Sequence, residues 1–386
     1  MEIPYGRQDI TEDDIKAVKD ILSSDFLTQG PKVPEFEKEI SKYCSSKYAI
    51  AVNSATSALH IACLALEISE GDIVWTAANT FVASSNCALY CGATVDFVDI
   101  DLDTFNISIS DLEEKLIDAK KKNNLPKVLI PVHMCGQSCN MKDIKRLSKI
   151  YGFKIIEDAS HAIGGSYLKS KVGSCKYSDI TVFSFHPVKI ITSGEGGMAL
   201  TNDKNLANKM NLFRSHGITK NEDMMENEPH GDWYYEQLVL GFNYRMTDIH
   251  AALGLSQLKR VDGYIEMRNK LANKYNIMLS HLPLKTPLVS EDTISSFHLY
   301  VICLNHDIKL HHQKIFNSMR RKGILVNLHY IPVYLHPFYR NLGFKKGYCP
   351  NSEKFYSSAI SIPMFPGLSR KDQSFIVQSL KESLEE

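Results

Sequence analysis

The chain lacks an excess of either charge: 44 Lys and Arg are balanced by 44 Asp and Glu among 386 residues. No global field therefore favours nucleic acid or an anionic membrane, which leaves open only a local basic pocket for a phosphorylated ligand. Long apolar runs are missing as well. The most apolar stretches, residues 128–132 and 59–66, fall far short of the roughly 18 residues a membrane-crossing helix needs. The first residues show no basic stretch followed by an apolar one, so no signal peptide is expected. Internal repeats and low-complexity tracts are absent too. The nine cysteines are odd in number and scattered. Cys135 and Cys139 are the one pair that suggests a metal, but no second Cys/His pair stands at ligand spacing. Reduced thiols and a cytoplasmic location are therefore expected, with no metal.

What is present is the composition of an ordinary soluble globular protein, 44% hydrophobic and 23% charged. On a prior of roughly 100–200 residues per domain, the length fits one large and one smaller domain. Apolar β-rich runs at 49–52, 73–75, 95–98, 127–132, 154–157, 180–183 and 198–201 alternate with helical spacing at 56–66, 80–90, 109–119 and 141–151. This alternation predicts an α/β fold, a largely parallel sheet with helices on both faces. Beyond about residue 250 the texture becomes α+β. Helices are expected at 247–258, 262–279, 313–321 and 370–384, with strands at 298–304 and 324–327. The reading is a large domain over 1–250 and a small one over 251–386. The polar stretch 220–232 is the expected mobile loop.

Three local runs carry chemistry. Val52-Asn-Ser-Ala-Thr-Ser-Ala58 lies where a strand gives way to a helix. Its small residues and the unpaired N–H groups of a first helical turn suit a phosphate, though an ordinary Ser/Thr N-cap has the same look. Ile155-Ile-Glu-Asp-Ala-Ser-His161 is an apolar strand ending in an acid. In open α/β sheets ligands sit at such strand ends, and Asp158 suits a protonated pyridine nitrogen; a helix cap is the alternative. Phe183-Ser-Phe-His-Pro-Val-Lys-Ile-Ile-Thr-Ser-Gly-Glu-Gly-Gly197 places Lys189 among apolar neighbours. Poor solvation there lowers the pKa of its amine and makes it nucleophilic, whereas an isolated loop lysine merely packs its stem.

The order of phosphate loop, acid and lysine is more specific than any one run. With Thr80-Phe-Val-Ala, Gly241-Phe-Asn-Tyr-Arg-Met-Thr-Asp and Val326-Asn-Leu-His-Tyr-Ile-Pro-Val, the sequence resembles the DegT/DnrJ/EryC1/StrS sugar aminotransferases across nearly its whole length. The resemblance implies the fold-type I architecture: a mainly parallel seven-stranded sheet between helices, with a smaller C-terminal α+β domain. It implies pyridoxal 5'-phosphate as cofactor, held covalently by Lys189, which also shuttles the proton. Asp158 would then pair with the pyridinium nitrogen and His161 approach the phenolic oxygen. Phe81 would stack on the ring, and Thr56, Ser57 and Ser184 would hold the phosphate. Asn243 would reach the cofactor phosphate of a neighbouring subunit, making the working unit a homodimer. Core packing for Phe81 and a turn role for Asn243 are the alternatives.

Further runs, such as Ile3-Pro-Tyr-Gly-Arg-Gln-Asp-Ile and Ser24-Asp-Phe-Leu-Thr-Gln-Gly, resemble the pseudaminic-acid branch. That branch implies a UDP-linked 4-ketosugar and L-glutamate as substrates. Tyr5, Asp25, Phe26, Leu27, Thr28, Asn327, Leu328, His329 and Tyr330 are the expected substrate contacts, with core packing as the alternative for His329 and Tyr330. Dehydratases of the same fold carry histidine where Lys189 stands, so the lysine separates the two chemistries. The lack of a basic patch also counts against a regulator.

Overall fold

The computed structural model describes residues 2–305 and 311–386. Its centre is a seven-stranded sheet built from β1 (Tyr48–Val52), β2 (Ile73–Ala77), β3 (Thr94–Val98), β4 (Val128–Ile130), β5 (Lys154–Asp158), β6 (Ile180–Ser184) and β7 (Gly197–Thr201), in the order β1-β7-β6-β5-β4-β2-β3. All neighbours run parallel except β7, which is antiparallel to β1 and β6. Each strand lies within a few residues of its expected place.

The sheet is apolar on both faces because helices cover both. Alternation along the strands sends Ile156, Val182 and Ala199 to one side, where they meet Leu59, Ile61 and Ala62. Phe183, Met198 and Leu200 point to the other side, against Phe36, Ile40 and Phe185. Helices α3 (Ala55–Ala65), α4 (Ala83–Tyr90), α5 (Ile109–Lys121) and α6 (Met141–Tyr151) fall where helical spacing placed them. Helices α1 (Glu12–Leu22), α2 (Lys32–Cys44) and α7 (Lys204–Arg214) fall outside the expected helical segments. Two of them carry a sequence signal. The Thr11 N–H donates to Asp14 Oδ2 at 2.9 Å at the start of α1, and Asp203 Oδ1 accepts from the Asn205 N–H at 2.7 Å to open α7.

Helix α8 (Asp248–Leu258) spans the expected domain boundary at 250. Its Asp248 carboxylate accepts from the N–H groups of Gly30 (2.8 Å) and Lys32 (2.7 Å), which fixes the start of α2. Gly254 is required there, because a Cβ would lie 2.6 Å from the Phe36 ring. Beyond α9 (Val261–Leu279), an antiparallel sheet of β8 (Leu284–Lys285), β9 (Tyr300–Leu304) and β10 (Ala359–Ile362) packs with α10 (His312–Arg321) and α13 (Arg370–Glu385). The short helices α11 (Pro337–Asn341) and α12 (Pro350–Tyr356) lie between. The stretch expected to be a mobile loop is an exposed segment with one 3-10 turn at Glu222–Met224.

The amino terminus joins this later part of the chain. Residues Ile3–Pro4 pair in parallel with Ile324–Leu325, and the Met364 N–H donates to the Tyr5 carbonyl at 2.9 Å. Arg268 of α9, fully buried, donates to the carbonyls of Phe297 and Met364, both at 3.0 Å. These bonds bring the amino terminus to the carboxyl edge of the large sheet, where Tyr5 lines a cavity.

Candidate active site

A cavity of about 650 Å³ opens at that carboxyl edge. Asp158 ends β5 on its floor. Its Oδ2 accepts from Ser84 Oγ at 2.6 Å, and its Oδ1 accepts from the Ser160 N–H at 3.1 Å and Ser160 Oγ at 2.6 Å. Ser84 is itself within 2.8 Å of Thr80 Oγ1. The carboxylate is thus aimed from both sides while buried.

Lys189 follows β6. The loop that carries it is closed on itself: the Phe185 N–H donates to the Gly196 carbonyl at 2.9 Å, and the Ser193 N–H to the Phe185 carbonyl at 3.0 Å. Gly194 takes a φ of +81° in this turn, which suits a residue without Cβ. Buried Ile190 and Ile191 anchor the strand side. The Lys189 side chain faces the cavity and is half-buried, yet protein surrounds its amine. Burial pushes the amine down to about 8, and the Asp158 charge opposes that shift.

The third wall is the start of α3. Ser54 caps it, accepting from the Ser57 N–H at 3.1 Å, and Ser57 Oγ donates to Asn53 Oδ1 at 2.6 Å. Gly197 makes this turn possible, since a Cβ there would sit 2.5 Å from Ala55 N and from the Ser54 carbonyl. Thr56 and Ser184 line the same end. Unpaired N–H groups of a first helical turn and these hydroxyls are a site for an anion.

Opposite lie aromatic rings and imidazoles. Phe81 is 58% exposed although large and apolar, and its ring centroid stands 6.1 Å from that of Tyr330. Tyr330 OH lies 3.3 Å from His161 Nε2, and its N–H donates to Asn79 Oδ1 at 3.0 Å. Tyr5 packs on His329 with centroids 5.1 Å apart, and His329 Nδ1 is 2.8 Å from Ser361 Oγ. Burial first, then the Lys189 charge, pushes His329 down to about 4; the same two causes and His329 hold His161 well below the usual range. Both imidazoles are therefore neutral near pH 7.

Thr56, Ser57, Phe81, Asp158, His161, Ser184, Lys189, Tyr5, His329 and Tyr330 line one cavity. Seven expected residues do not line it. Asn243 is exposed on the segment beside β1, where the Asn53 N–H donates to the Tyr244 carbonyl. Asp25, Phe26, Leu27 and Thr28 lie exposed against the start of α8, with the Asp248 N–H donating to the Leu27 carbonyl. Asn327 exchanges backbone bonds with Ser361 behind Tyr5, and Leu328 faces a separate hollow beside α10 and α12. Of the run 327–330, only His329 and Tyr330 line the cavity. Sequence reasoning missed Ser84 and Ser160 as supports for Asp158. Ser160, two residues on, follows a recognisable Asx-like pattern; Ser84 has no local signal.

The set fits a flat, anionic, aldehyde-bearing aromatic cofactor. Among the described residues buried His161 Nδ1 has no hydrogen-bond partner, and an amine, a carboxylate and a helix start surround the same cavity. The sequence profile of the DegT/DnrJ/EryC1/StrS aminotransferase family matches residues 8–381. The UDP-4-amino-4,6-dideoxy-N-acetyl-beta-L-altrosamine transaminase of Campylobacter jejuni is 38% identical over 385 residues, 99% of this chain and 98% of that one. The spore coat polysaccharide biosynthesis protein SpsC of Bacillus subtilis is 35% identical, covering 98% and 96%. Among solved structures, Helicobacter pylori PseC, an aminotransferase of pseudaminic acid biosynthesis, superposes with a TM-score of 0.90 at 32% identity over the full length of both chains.

Proposed function

Because the chain belongs to the DegT/DnrJ/EryC1/StrS aminotransferase family, we propose that it moves the amino group of L-glutamate to C4 of a UDP-linked 4-keto-6-deoxy-N-acetylhexosamine. The product of that reading is UDP-4-amino-4,6-dideoxy-N-acetyl-beta-L-altrosamine, with 2-oxoglutarate released. The observation that carries it is the poorly solvated Lys189 amine facing the same cavity as Asp158 and the α3 turn. The 38% identical transaminase supports the choice of sugar.

Pyridoxal phosphate, when bound, supplies the carbonyl carbon that accepts the amino group and a ring that takes up carbanion charge. Lys189 would hold it, with Asp158 toward the ring nitrogen and His161 toward the phenolic oxygen. Thr56, Ser57 and Ser184 serve the phosphate, and Phe81 a ring face. Ser84 and Ser160 fix the Asp158 carboxylate so that its charge is in place before substrate arrives. In the glutamate half, Lys189 Nζ takes the proton from the donor's Cα; in the sugar half it delivers a proton to C4. An amine near neutrality can do both, since it is neither fully protonated nor reluctant to accept a proton. Tyr5, His329 and Tyr330 form the side toward the sugar. Exposed Asn243 serves the cofactor phosphate of a second copy, so the working unit is a homodimer.

The test is turnover of a panel of UDP- and dTDP-4-ketosugars with glutamate. The UDP-hexosulose should yield the amino sugar and 2-oxoglutarate; turnover of dTDP sugars alone would overturn the reading. SpsC, at nearly the same identity, favours a second reading in which another nucleotide ketosugar is the acceptor.

A further inference from the structure

His161 is clamped by a segment that does not itself line the cavity, residues 295–299 leading into β9. Ser296 Oγ donates to the His161 carbonyl at 2.6 Å, and the Ser296 N–H donates to the Gly136 carbonyl at 3.0 Å. The next residue, Phe297, takes a φ of +44°, a left-handed conformation that strains a bulky residue. Buried Arg268 holds that bend through the carbonyls of Phe297 at 3.0 Å and His298 at 3.4 Å. Beyond the bend the His298 ring lies against that of His161, with centroids 4.4 Å apart and planes at 48°. His298 is buried, and among the described residues neither its Nδ1 nor that of His161 has a hydrogen-bond partner. An unpaired imidazole nitrogen costs stability that a phenylalanine in the same place would not. Strained backbone and an unpaired polar ring together are poor core filling.

We propose that His298 is a positioning residue for the proposed reaction: its imidazole fixes the orientation and tautomer of His161. This role presupposes pyridoxal phosphate in the cavity, with His161 toward the phenolic oxygen. Among the described residues the His161 side chain has one hydrogen-bond partner, the Tyr330 hydroxyl, 3.3 Å from Nε2. A hydroxyl both donates and accepts, so that bond leaves the ring proton free to sit on either nitrogen. A second imidazole against the same ring makes the two tautomers unequal in energy, because its dipole acts in a site with little water. Burial first, then His161 and Lys189, hold His298 well below the usual range, so it acts as a neutral ring near pH 7. The tautomer matters because only a nitrogen that carries a proton can donate to an oxygen of the cofactor.

The test is a double-mutant cycle on the full chain. His161→Phe is combined with His298→Phe and, separately, with His298→Asn, one larger and one smaller substitution, so that misfolding of either leaves the other. In the cofactor-loaded protein each His298 variant should move the visible band and weaken pyridoxal phosphate about tenfold. In the His161→Phe background each should leave the band where His161→Phe alone puts it. A second arm needs no cofactor: imidazole nitrogen NMR spectra should show one His161 tautomer in wild type and a mixture in the His298 variants. A merely structural His298 would lower the melting temperature and leave band and tautomer alone, which would overturn the proposal. Equal band shifts with and without His161 would overturn it too. A wild type that shows no visible band with pyridoxal phosphate would instead sink the reading of the cavity, and the tautomer arm would still decide the role of His298.

Discussion

The two sides of the cavity are made in opposite ways. On the cofactor side, Asn53–Ser57, Asp158–His161 and Ser184–Lys189 are short runs, each issuing from the end of one strand of the same sheet. On the side proposed for the sugar, Tyr5 and His329 are 324 positions apart in sequence, and meet through the pairing of Ile3 with Ile324 and the Met364–Tyr5 bond. The first side is fixed by the sheet, the second by the docking of the amino-terminal strand on residues 324–325 and 364. On the proposed function, the cofactor contacts sit on the sheet and the sugar contacts on segments brought together from far apart in sequence.

Variants can break this comparison, beginning where the effect is largest. Lys189→Ala should abolish the visible absorption of the cofactor-loaded protein and lower turnover by at least about 10³-fold. Retention of the band would remove the lysine from its assigned place. Asp158→Asn keeps the size of the side chain but loses its charge. Its turnover should fall by about 10²–10³-fold while cofactor still binds, read by spectrum and kcat together.

Gly197→Ala forces a methyl into the turn before α3. It should cost about 1–3 kcal/mol of stability in a denaturant melt and weaken cofactor binding. Tyr5→Ala probes the other side. It should raise KM for the sugar nucleotide about tenfold, equivalent to about 1.4 kcal/mol, with the visible band unmoved; a lost band would mean the two sides are not separable. The smallest effect is one of pH. Burial lowers the Lys189 amine, so its neutral, nucleophilic form gains as pH rises through about 8. The rate at which apoprotein takes up pyridoxal phosphate should climb over that interval, and a climb centred near 10 would contradict the burial argument.

Legibility follows the same division. Strand β6 and the run to Lys189 could be read directly, because a buried parallel strand is a continuous apolar run and its end is where ligands meet the sheet. Asp158 was legible for that reason, but Ser84, which holds it, was not: it stands 74 residues earlier, and only the packing of α4 on the sheet brings them together. Helix α1 was passed over despite its Thr11–Asp14 box, since most of its residues are polar and its apolar stripe is thin. Asp25 to Thr28 and Asn327 to Leu328 fall away from the cavity because contiguity in sequence is a poor guide where a residue pairs with another strand or a segment lies against another helix.

By itself the sequence determined the order of sheet strands along the chain, the small-residue turn before α3, and a poorly solvated lysine just beyond a strand end. These are local consequences of periodicity, chain turns and poor solvation. Tertiary structure alone decided that Ser84 would brace Asp158 and that Tyr5 would pack on His329. Such contacts depend on how separate elements pack, and no local pattern encodes the distance between residues that folding brings together from far along the chain.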